Sequence, residues 1–261
     1  MNIVVCLKQV PGTTKVNIDP ETNTIIRQDI ESIVNPFDTY ALEEGVRLKE
    51  QHGGKASAIS MGPPQAEAML REAIGTGADE AILISDRAFA GSDTWATAYT
   101  LAKTIEKIDQ CDLIICGRQT IDGDTGQVGP ELAEILGLPF VAYVSKIEEI
   151  DNGRIRVRRM IEEGYEIIEA SLPAVITVVK EINVPRLPSL RGLARAKSAT
   201  IPIWTAAELG VDKSLVGLAG SATRVTGIFF PQRVSRSEIL QGNVVSQVDT
   251  LVAKLREAKI V

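Results

Sequence analysis

The sequence predicts an α/β fold whose central, mostly parallel sheet is doubly wound. Over the first two-thirds of the 261-residue chain, short apolar runs alternate with segments of helical period, as in βαβ units whose sheet is covered on both faces. With 44% hydrophobic and 24% charged residues, the composition is that of an ordinary globular protein,. The predicted parallel strands are residues 2–7, 56–61, 80–85, 113–117 and 175–179.

The helices between these strands are predicted from their start and stop signals. The first begins at Asn35, a candidate N-cap followed by Pro36 at the first helical position, and ends at about residue 51 before a Gly-Gly pair,. The other helices are predicted over residues 65–76, from about residue 92, and over residues 131–136,.

After residue 139 the pattern changes to two alternating segments on either side of Asn152 and Gly153. Asn-Gly is the favoured two-residue hairpin turn, so a β-hairpin insertion is predicted over residues 146–157. A Pro-, Arg- and Ala-rich loop then leads to an extended C-terminal arm that ends in a helix over residues 244–259. The predicted divisions are therefore a first domain (1–184), a loop (185–200) and the arm (201–261).

Charge and residue counts exclude several classes of function. Lysine and arginine number 28 against 34 acidic residues, a net charge of −6, so the chain lacks the basic surface of a protein that binds nucleic acid or anionic membranes. The single histidine, His52, excludes a catalytic triad and a multi-histidine metal site,. No nucleophile is paired with a base, so we expect no side-chain catalysis, although redox chemistry by a bound cofactor stays possible.

Cysteine spacing and hydropathy indicate the compartment. Cys6, Cys111 and Cys116 have no C-x-x-C spacing and are predicted to be thiols in a reducing space,. No stretch approaches the roughly 20 apolar residues of a membrane span, so we expect no membrane insertion. A cytoplasmic location is the resulting expectation.

The loop that follows the strand at 113–117 is the strongest candidate for ligand binding. It lies at the carboxyl end of a parallel strand, where open α/β sheets bind ligands. Its glycines let the backbone approach an anion, the following helix N-terminus adds positive dipole, and its threonines add donors, so it could cradle a pyrophosphate. The loop consists of Gly117, Arg118, Gln119, Thr120, Ile121, Asp122, Gly123, Asp124, Thr125, Gly126, Gln127, Val128 and Gly129.

Three known types of loop do not fit this segment. A Walker loop needs a lysine, which is absent here,. A calcium loop beginning at Asp122 would have Gly126 in place of its third ligand and Ala133 in place of the closing glutamate,. The G-x-G-x-x-G fingerprint is also absent,. An acidic turn without a ligand is the open alternative.

Other segments are expected at the same edge of the sheet. Two strand ends and the start of the first helix would form the wall of an adenosine pocket, in which Lys8 could balance a phosphate or be solvated. The helix start near residue 93 could add phosphate or flavin contacts, or be a plain N-cap. The wall residues are Cys6, Lys8, Asn35, Pro36, Phe37, Asp38 and Met61, and the helix-start residues are Asp93, Thr94 and Thr97.

One basic segment departs from the acidic balance of the chain. Residues 186–197 interleave four cationic residues with leucines, as in a loop that docks a protein partner. The alternative is a surface helix whose leucines turn into the core. The candidate docking residues are Leu187, Leu190, Arg191, Leu193, Arg195 and Lys197.

Five motifs, in order and over essentially the whole chain, resemble the β subunit of electron-transfer flavoproteins. They are residues 7–11 (LKQVP), 35–38 (NPFD) with 41–44 (ALEE), 60–63 (SMGP), 118–129, and 183–197. The resemblance implies a Rossmann-like adenine-nucleotide domain and a heterodimer with a homologous α subunit that carries FAD. It also implies electron transfer to or from a dehydrogenase, recognised by a loop around Leu190, and a C-terminal arm that packs on the α subunit.

In that family the β-subunit pocket holds either AMP, in simple carriers, or a second FAD. Members with a second FAD oxidise NADH and bifurcate its electrons to ferredoxin and an acyl-CoA-type dehydrogenase. Asp38 and residues 85–87, 90–94 and 220–225 resemble this bifurcating group, so FAD, with NADH as electron donor, is the expectation. The alternatives are a non-bifurcating carrier that holds structural AMP and a stand-alone adenine-nucleotide-binding regulatory protein.

Overall fold

The computed structural model describes residues 1–12, 17–19, 24–26, 32–108, 110–227 and 237–261. The strands are β1 Asn2–Cys6, β2 Gln9–Pro11, β3 Asn17–Asp19, β4 Thr24–Ile26, β5 Ser32–Val34, β6 Lys55–Met61, β7 Glu80–Ile84, β8 Leu113–Gly117, β9 Phe140–Asp151, β10 Arg154–Ile161, β11 Gly164–Ser171, β12 Ala174–Val178 and β13 Ile203–Trp204. The α-helices are α1 Pro36–His52, α2 Glu67–Thr76, α3 Thr94–Ile108, α4 Val128–Leu136, α5 Leu190–Ser198, α6 Ala206–Leu209, α7 Gly217–Gly220 and α8 Val244–Glu257. Short 3₁₀ turns cover Pro64–Ala66, Arg87–Phe89, Lys180–Ile182 and Lys213–Leu215.

One nine-stranded sheet organises the chain, in the order β11-β10-β9-β12-β8-β1-β6-β7-β13. Strands β9, β12, β8, β1, β6, β7 and β13 pair in parallel, and β9, β10 and β11 form an antiparallel meander. The predicted α/β class is confirmed, and all five predicted parallel strands lie within one residue of their predicted bounds.

Both faces of the sheet are covered by helices. Because alternate residues of a strand point to opposite faces, Ile3 and Val5 of β1 pack in one apolar cluster with α1 and α2. Val4 of the same strand packs in a second cluster with α3 and α4. The continuous apolar runs of the sequence therefore reflect burial on both sides, as expected of a doubly wound sheet.

Several elements differ from the prediction. The expected hairpin is longer, β9 and β10 extending over residues 140–161, and it is joined by a third strand, β11. Adjacent isoleucines at 167 and 168 break the alternation of β11, which explains why the pattern did not reveal it,. The expected loop over 185–200 contains a helix, α5.

The chain divides into two compact units, residues 1–225 and 226–261. The expected arm over 201–261 is thus split: β13, α6 and α7 belong to the first unit, and α8 lies in the second. Helix α8 matches the predicted C-terminal helix. Within the described ranges, no helix is long and apolar enough to cross a membrane.

Candidate functional site

The candidate site lies where the strand order reverses. From β1 the chain proceeds to β6 and β7 on one side, whereas β8 and β12 lie on the other side of β1. The carboxyl ends of β1 and β8 are adjacent, with Cys6 opposite Cys116. Such a switch point opens a crevice between the two strand ends, where α/β sheets bind ligands. We call Lys8, residues 35–38 and residues 117–129 together the nucleotide edge.

Asn35 ties the two sides of the nucleotide edge together. It is fully buried; its Nδ2 donates to Asp38 Oδ1 and to the carbonyl of Gln119, both at 2.9 Å, and its Oδ1 accepts from the Ile121 N–H at 3.2 Å. Asn35 occupies the N-cap position of α1 as predicted, but its side chain does not cap that helix. The expected capping role is therefore wrong, because the side chain binds the loop after β8 instead.

Asp38 is a buried link between β1 and α1. Its Oδ2 accepts from the Lys8 N–H at 2.7 Å, and a Cβ at Gly117 would overlap its Oδ1 and the backbone of Phe37. Burial raises the pKa of Asp38 to about 7, against the opposing effect of its hydrogen bonds with Asn35 and Lys8. Gly117 is thus required by the close approach of α1 to the end of β8.

Lys8 forms an ion pair with the loop. Its Nζ lies 2.8 Å from Asp122 Oδ1, and the lysine side chain is 45% exposed. Although burial opposes the shift, the hydrogen bond and charge of Lys8 hold the pKa of Asp122 below its ordinary value. An exposed pair of this kind contributes little to stability. Because its Nζ is paired with Asp122, Lys8 is held at the edge and is not simply solvated.

The loop itself is a tight, exposed turn. The Asp124 N–H donates to the Thr120 carbonyl at 2.9 Å, and Gln119 Nε2 donates to Asp124 Oδ1. Asp124 and Gly126 have left-handed φ angles of 56° and 64°, the conformation that glycine adopts most readily. Residues 121–125 and 127 are exposed, whereas 126 and 128 are half-buried.

Gly129 has a different reason for its small size. It is buried in the first turn of α4, where a Cβ would come within 2.5 Å of Thr177 Cγ2. The structure therefore explains this glycine by the packing of α4 on β12 and not by approach to an anion.

Arg118 lies between two aromatic rings. Its guanidinium carbon is 5.6 Å from the ring centre of Phe37 and 5.4 Å from that of Tyr143, within the range of cation–π attraction. Tyr143 adopts a left-handed φ of 58° inside β9. Sequence analysis missed Tyr143, because nothing in an alternating strand shows that one aromatic residue reaches a loop elsewhere in the chain.

The remaining wall residues close the edge. Cys6 is buried, and a hydrogen bond with Cys116 followed by burial raises the pKa of its thiol well above the ordinary value. Such a thiol is unreactive. Met61 ends β6 and is half-buried, and Pro36 is exposed at the first position of α1.

The start of α3 is held by hydrogen bonds within the chain. Asp93 Oδ1 accepts from the Ala96 N–H at 3.0 Å, which confirms the N-cap interpretation. Its Oδ2 accepts from the N–H and the hydroxyl of Thr223 at 2.8 and 3.1 Å. Thr94 Oγ1 donates to Glu131 Oε1 at 3.0 Å, and the Thr97 N–H donates to the Asp93 carbonyl at 3.0 Å. Two carboxylates thus stand where a second phosphate site was expected.

The basic segment is part loop and part helix. Arg186 binds Glu43 and Glu50 on α1, and Arg195 Nη2 donates to the carbonyls of Ile74 and Ala78, so these two cations are engaged with the domain. Of the four cationic residues of the segment, Arg186 and Arg195 therefore contact the rest of the domain, and Arg195 was a candidate docking residue.

The leucines of this segment face in two directions. Leu187 and Leu190 are each 88% exposed, so the alternative in which all three leucines enter the core is wrong for them. Leu193 is 43% exposed and lies against α2, where a Cβ at Gly75 would be 3.5 Å from its Cδ2. We call Leu187, Leu190, Arg191 and Lys197, all exposed, the α5 surface.

The chain is similar to known proteins over its full length. Residues 22–209 match the model of the electron transfer flavoprotein domain. The chain is 51% identical to the electron transfer flavoprotein subunit beta of Thermoanaerobacterium thermosaccharolyticum, over 100% of both chains. It is 46% identical to the caffeyl-CoA reductase-Etf complex subunit CarD of Acetobacterium woodii, over 100% of both chains. It is also 45% identical to protein FixA of Azotobacter vinelandii, over 93% of this chain and 89% of that protein.

Proposed function

The chain belongs to the electron transfer flavoprotein family, as a β subunit that pairs with an α subunit and functions in electron transfer, and on this premise we propose that its nucleotide edge binds FAD. With the α subunit, it would oxidise NADH and divide the electrons between ferredoxin and an acyl-CoA-type dehydrogenase. The observation that carries the cofactor proposal is the glycine-containing loop, fixed by Asn35 at the switch point of the sheet.

The residues of the nucleotide edge fit a nucleotide. Gly123 has only Thr120 Oγ1, at 3.5 Å, near the position of a Cβ, so a ligand can approach the backbone closely. Arg118 brings a guanidinium group to the edge, beside the Lys8–Asp122 ion pair, and the α4 N-terminus follows the loop,. When bound, FAD supplies the redox chemistry, while the protein holds its phosphates and tunes its surroundings.

A non-bifurcating carrier with AMP is the second candidate. It is favoured by the hydrogen bonds at the start of α3, because the Thr94 hydroxyl and the Ala96 N–H there already donate to carboxylates. The stand-alone regulatory protein loses support, since the family is one of paired subunits.

A count of cofactors separates the two candidates. The co-expressed α–β complex would be purified and denatured, and the released flavin and AMP would be quantified per heterodimer. Two FAD and no AMP support the proposal. One FAD and one AMP contradict it and establish the simple carrier.

The partner proposals rest on exposed apolar residues. The α5 surface would dock the dehydrogenase; the name of the Acetobacterium woodii relative, which includes a CoA-ester reductase complex, agrees with such a partner. Helix α8 exposes Val244, Val248 and Leu251 at helical spacing, and we propose that this face packs on the α subunit. The three free cysteines agree with a cytoplasmic location,.

A further inference from the structure

Glu131 carries a buried oxygen that lacks a hydrogen-bond partner. Its Oε1 accepts from Thr94 Oγ1 at 3.0 Å, whereas Oε2 is buried and has no partner among the described residues. A buried polar atom is expected to be hydrogen-bonded, so an unpaired one indicates that a water or a ligand completes the site. Sequence analysis missed Glu131, whose position in the first turn of α4 is explained equally well by the helix dipole,.

Glu131 stands next to the nucleotide edge. It is separated by one residue from the last residue of the loop, Gly129, and its bond to Thr94 joins the first turns of α3 and α4. These helices follow β7 and β8, so both begin at the carboxyl edge of the sheet. The unpaired oxygen of Glu131 therefore lies at the same edge of the sheet as the loop, the edge formed by the carboxyl ends of the strands.

The surroundings of Glu131 suit a hydrogen-bond donor and not a phosphate. Burial and the nearby charge of Asp93 raise the pKa of Glu131, while its bond with Thr94 opposes the shift. The cations of the nucleotide edge lie at the loop and not beside Glu131: Lys8, which follows β1, pairs with Asp122, and Arg118 lies against Phe37. A phosphate beside Glu131 is repelled by the carboxylates of Glu131 and Asp93. A hydroxyl or N–H group would supply the missing donor.

We propose that Glu131 is a specificity-determining residue of the nucleotide site: its Oε2 accepts a hydrogen bond from a donor of the longer nucleotide, beyond the adenosine and phosphate portion that FAD shares with AMP. The ribityl hydroxyls of FAD are donors of this class, and AMP has no counterpart to them. The inference rests on the proposed binding of FAD. It adds that the loop selects the phosphate, whereas the starts of α3 and α4 select the length of the nucleotide.

The test compares FAD with AMP on the α–β complex. The β nucleotide would be removed, and dissociation constants for FAD and AMP would be measured by equilibrium dialysis for the wild type, Glu131→Gln and Glu131→Ala. Glu131→Gln preserves shape and an oxygen for Thr94 but puts an N–H₂ group in place of Oε2. We expect about a tenfold or larger loss of FAD affinity in both variants, with AMP affinity within about twofold of wild type.

Glu134→Gln is the matched control, because residue 134 is exposed on the same helix and the variant changes the same charge. It should bind both nucleotides as the wild type does, and thermal unfolding without nucleotide would show that each variant folds. If the wild type binds AMP but no FAD at this site, the proposed function fails and this inference with it. If the wild type binds FAD and Glu131→Gln binds it equally tightly, or loses FAD and AMP affinity alike, the inference alone is overturned.

Discussion

The nucleotide edge and the α5 surface are built in opposite ways. At the nucleotide edge, buried polar side chains, Asn35 and Asp38, hold segments together that are far apart in sequence. At the α5 surface, apolar side chains, Leu187 and Leu190, are exposed with few contacts to their own chain. Substitutions at the edge should therefore affect stability and ligand binding together, whereas substitutions at the surface should affect association alone.

The strongest test of this contrast is Asn35→Ala. The substitution removes hydrogen bonds to Asp38, Gln119 and Ile121 and leaves buried polar groups without partners, at a cost of about 3 kcal/mol. We expect the thermal midpoint of the α–β complex to fall by several degrees and the β nucleotide to be lost on gel filtration.

Asn183→Ala is the control for Asn35→Ala. Asn183 is also buried, and its Nδ2 donates to the Tyr40 carbonyl at 3.0 Å and to Glu44 Oε2 at 2.9 Å, away from the loop. This variant should lower the midpoint and retain the nucleotide. Equal loss of nucleotide in both variants would mean that general destabilisation, and not the loop, accounts for the result.

The second prediction concerns the pH dependence that Asp38 gives to the edge. The pKa of this carboxyl is raised from an ordinary value of about 3.9 to about 7 by burial, so the folded state binds its proton more tightly than the unfolded state. This contribution to stability is complete below about pH 4 and is lost as the pH rises through about 7. Stability should thus decline over that interval because of Asp38.

Asp38→Asn removes the titration, whatever constant effect it has on packing. Thermal midpoints of the complex would be measured from pH 5.5 to 8.5 for wild type and Asp38→Asn. The midpoint of the variant minus that of wild type should increase up to about pH 7 and then stay constant. Parallel curves across the range would show that Asp38 is ionised throughout and that the edge tolerates a buried charge.

The sequence predicted the strands of the nucleotide edge but not the bonds that shape it. Continuous apolar runs require burial on both faces, so β1 and β8 could be placed from their composition,. The role of Asn35 could not be predicted, because its partners, Gln119 and Ile121, are more than 80 residues away. A local rule assigned it to a helix cap, and the tertiary contact prevailed.

The α5 surface shows the complementary limit. Composition identified a segment of leucines and cations but could not say which leucines are exposed or which arginines are engaged. That depends on α2 and α1, whose carbonyls and carboxylates bind Arg195 and Arg186. Glu131 and Tyr143 were missed for the same reason: their significance lies in a neighbour from another element.

The third prediction separates association from stability within one helix. Leu190→Ala should leave the thermal midpoint of the complex unchanged, because Leu190 is 88% exposed, and should reduce electron transfer to the dehydrogenase at least several-fold, as a docking residue would. Leu193→Ala should cost about 1 kcal/mol of stability, because that side chain packs in part on α2,.

A control for Leu190→Ala is the reduction of the bound flavin by NADH, followed by stopped-flow absorbance, which this variant should leave unaffected. Unaltered transfer in Leu190→Ala would place the docking site elsewhere.

The smallest predicted effect is at Tyr143, which combines features of both regions. Its ring contacts Arg118 of the nucleotide edge, but the residue is 42% exposed, as residues of the α5 surface are exposed. Tyr143→Gly removes a left-handed strain of about 1 kcal/mol and also the ring beside Arg118, so its net effect on stability should lie within about 0.5 kcal/mol of zero. Tyr143→Phe keeps the ring and should match the wild type. If the ring positions the guanidinium for a phosphate, Tyr143→Gly will weaken nucleotide binding severalfold at unchanged stability, as measured by equilibrium dialysis, and Tyr143→Phe will not. Wild-type nucleotide affinity in Tyr143→Gly would instead show that the Tyr143 ring takes no part in nucleotide binding, although it contacts Arg118.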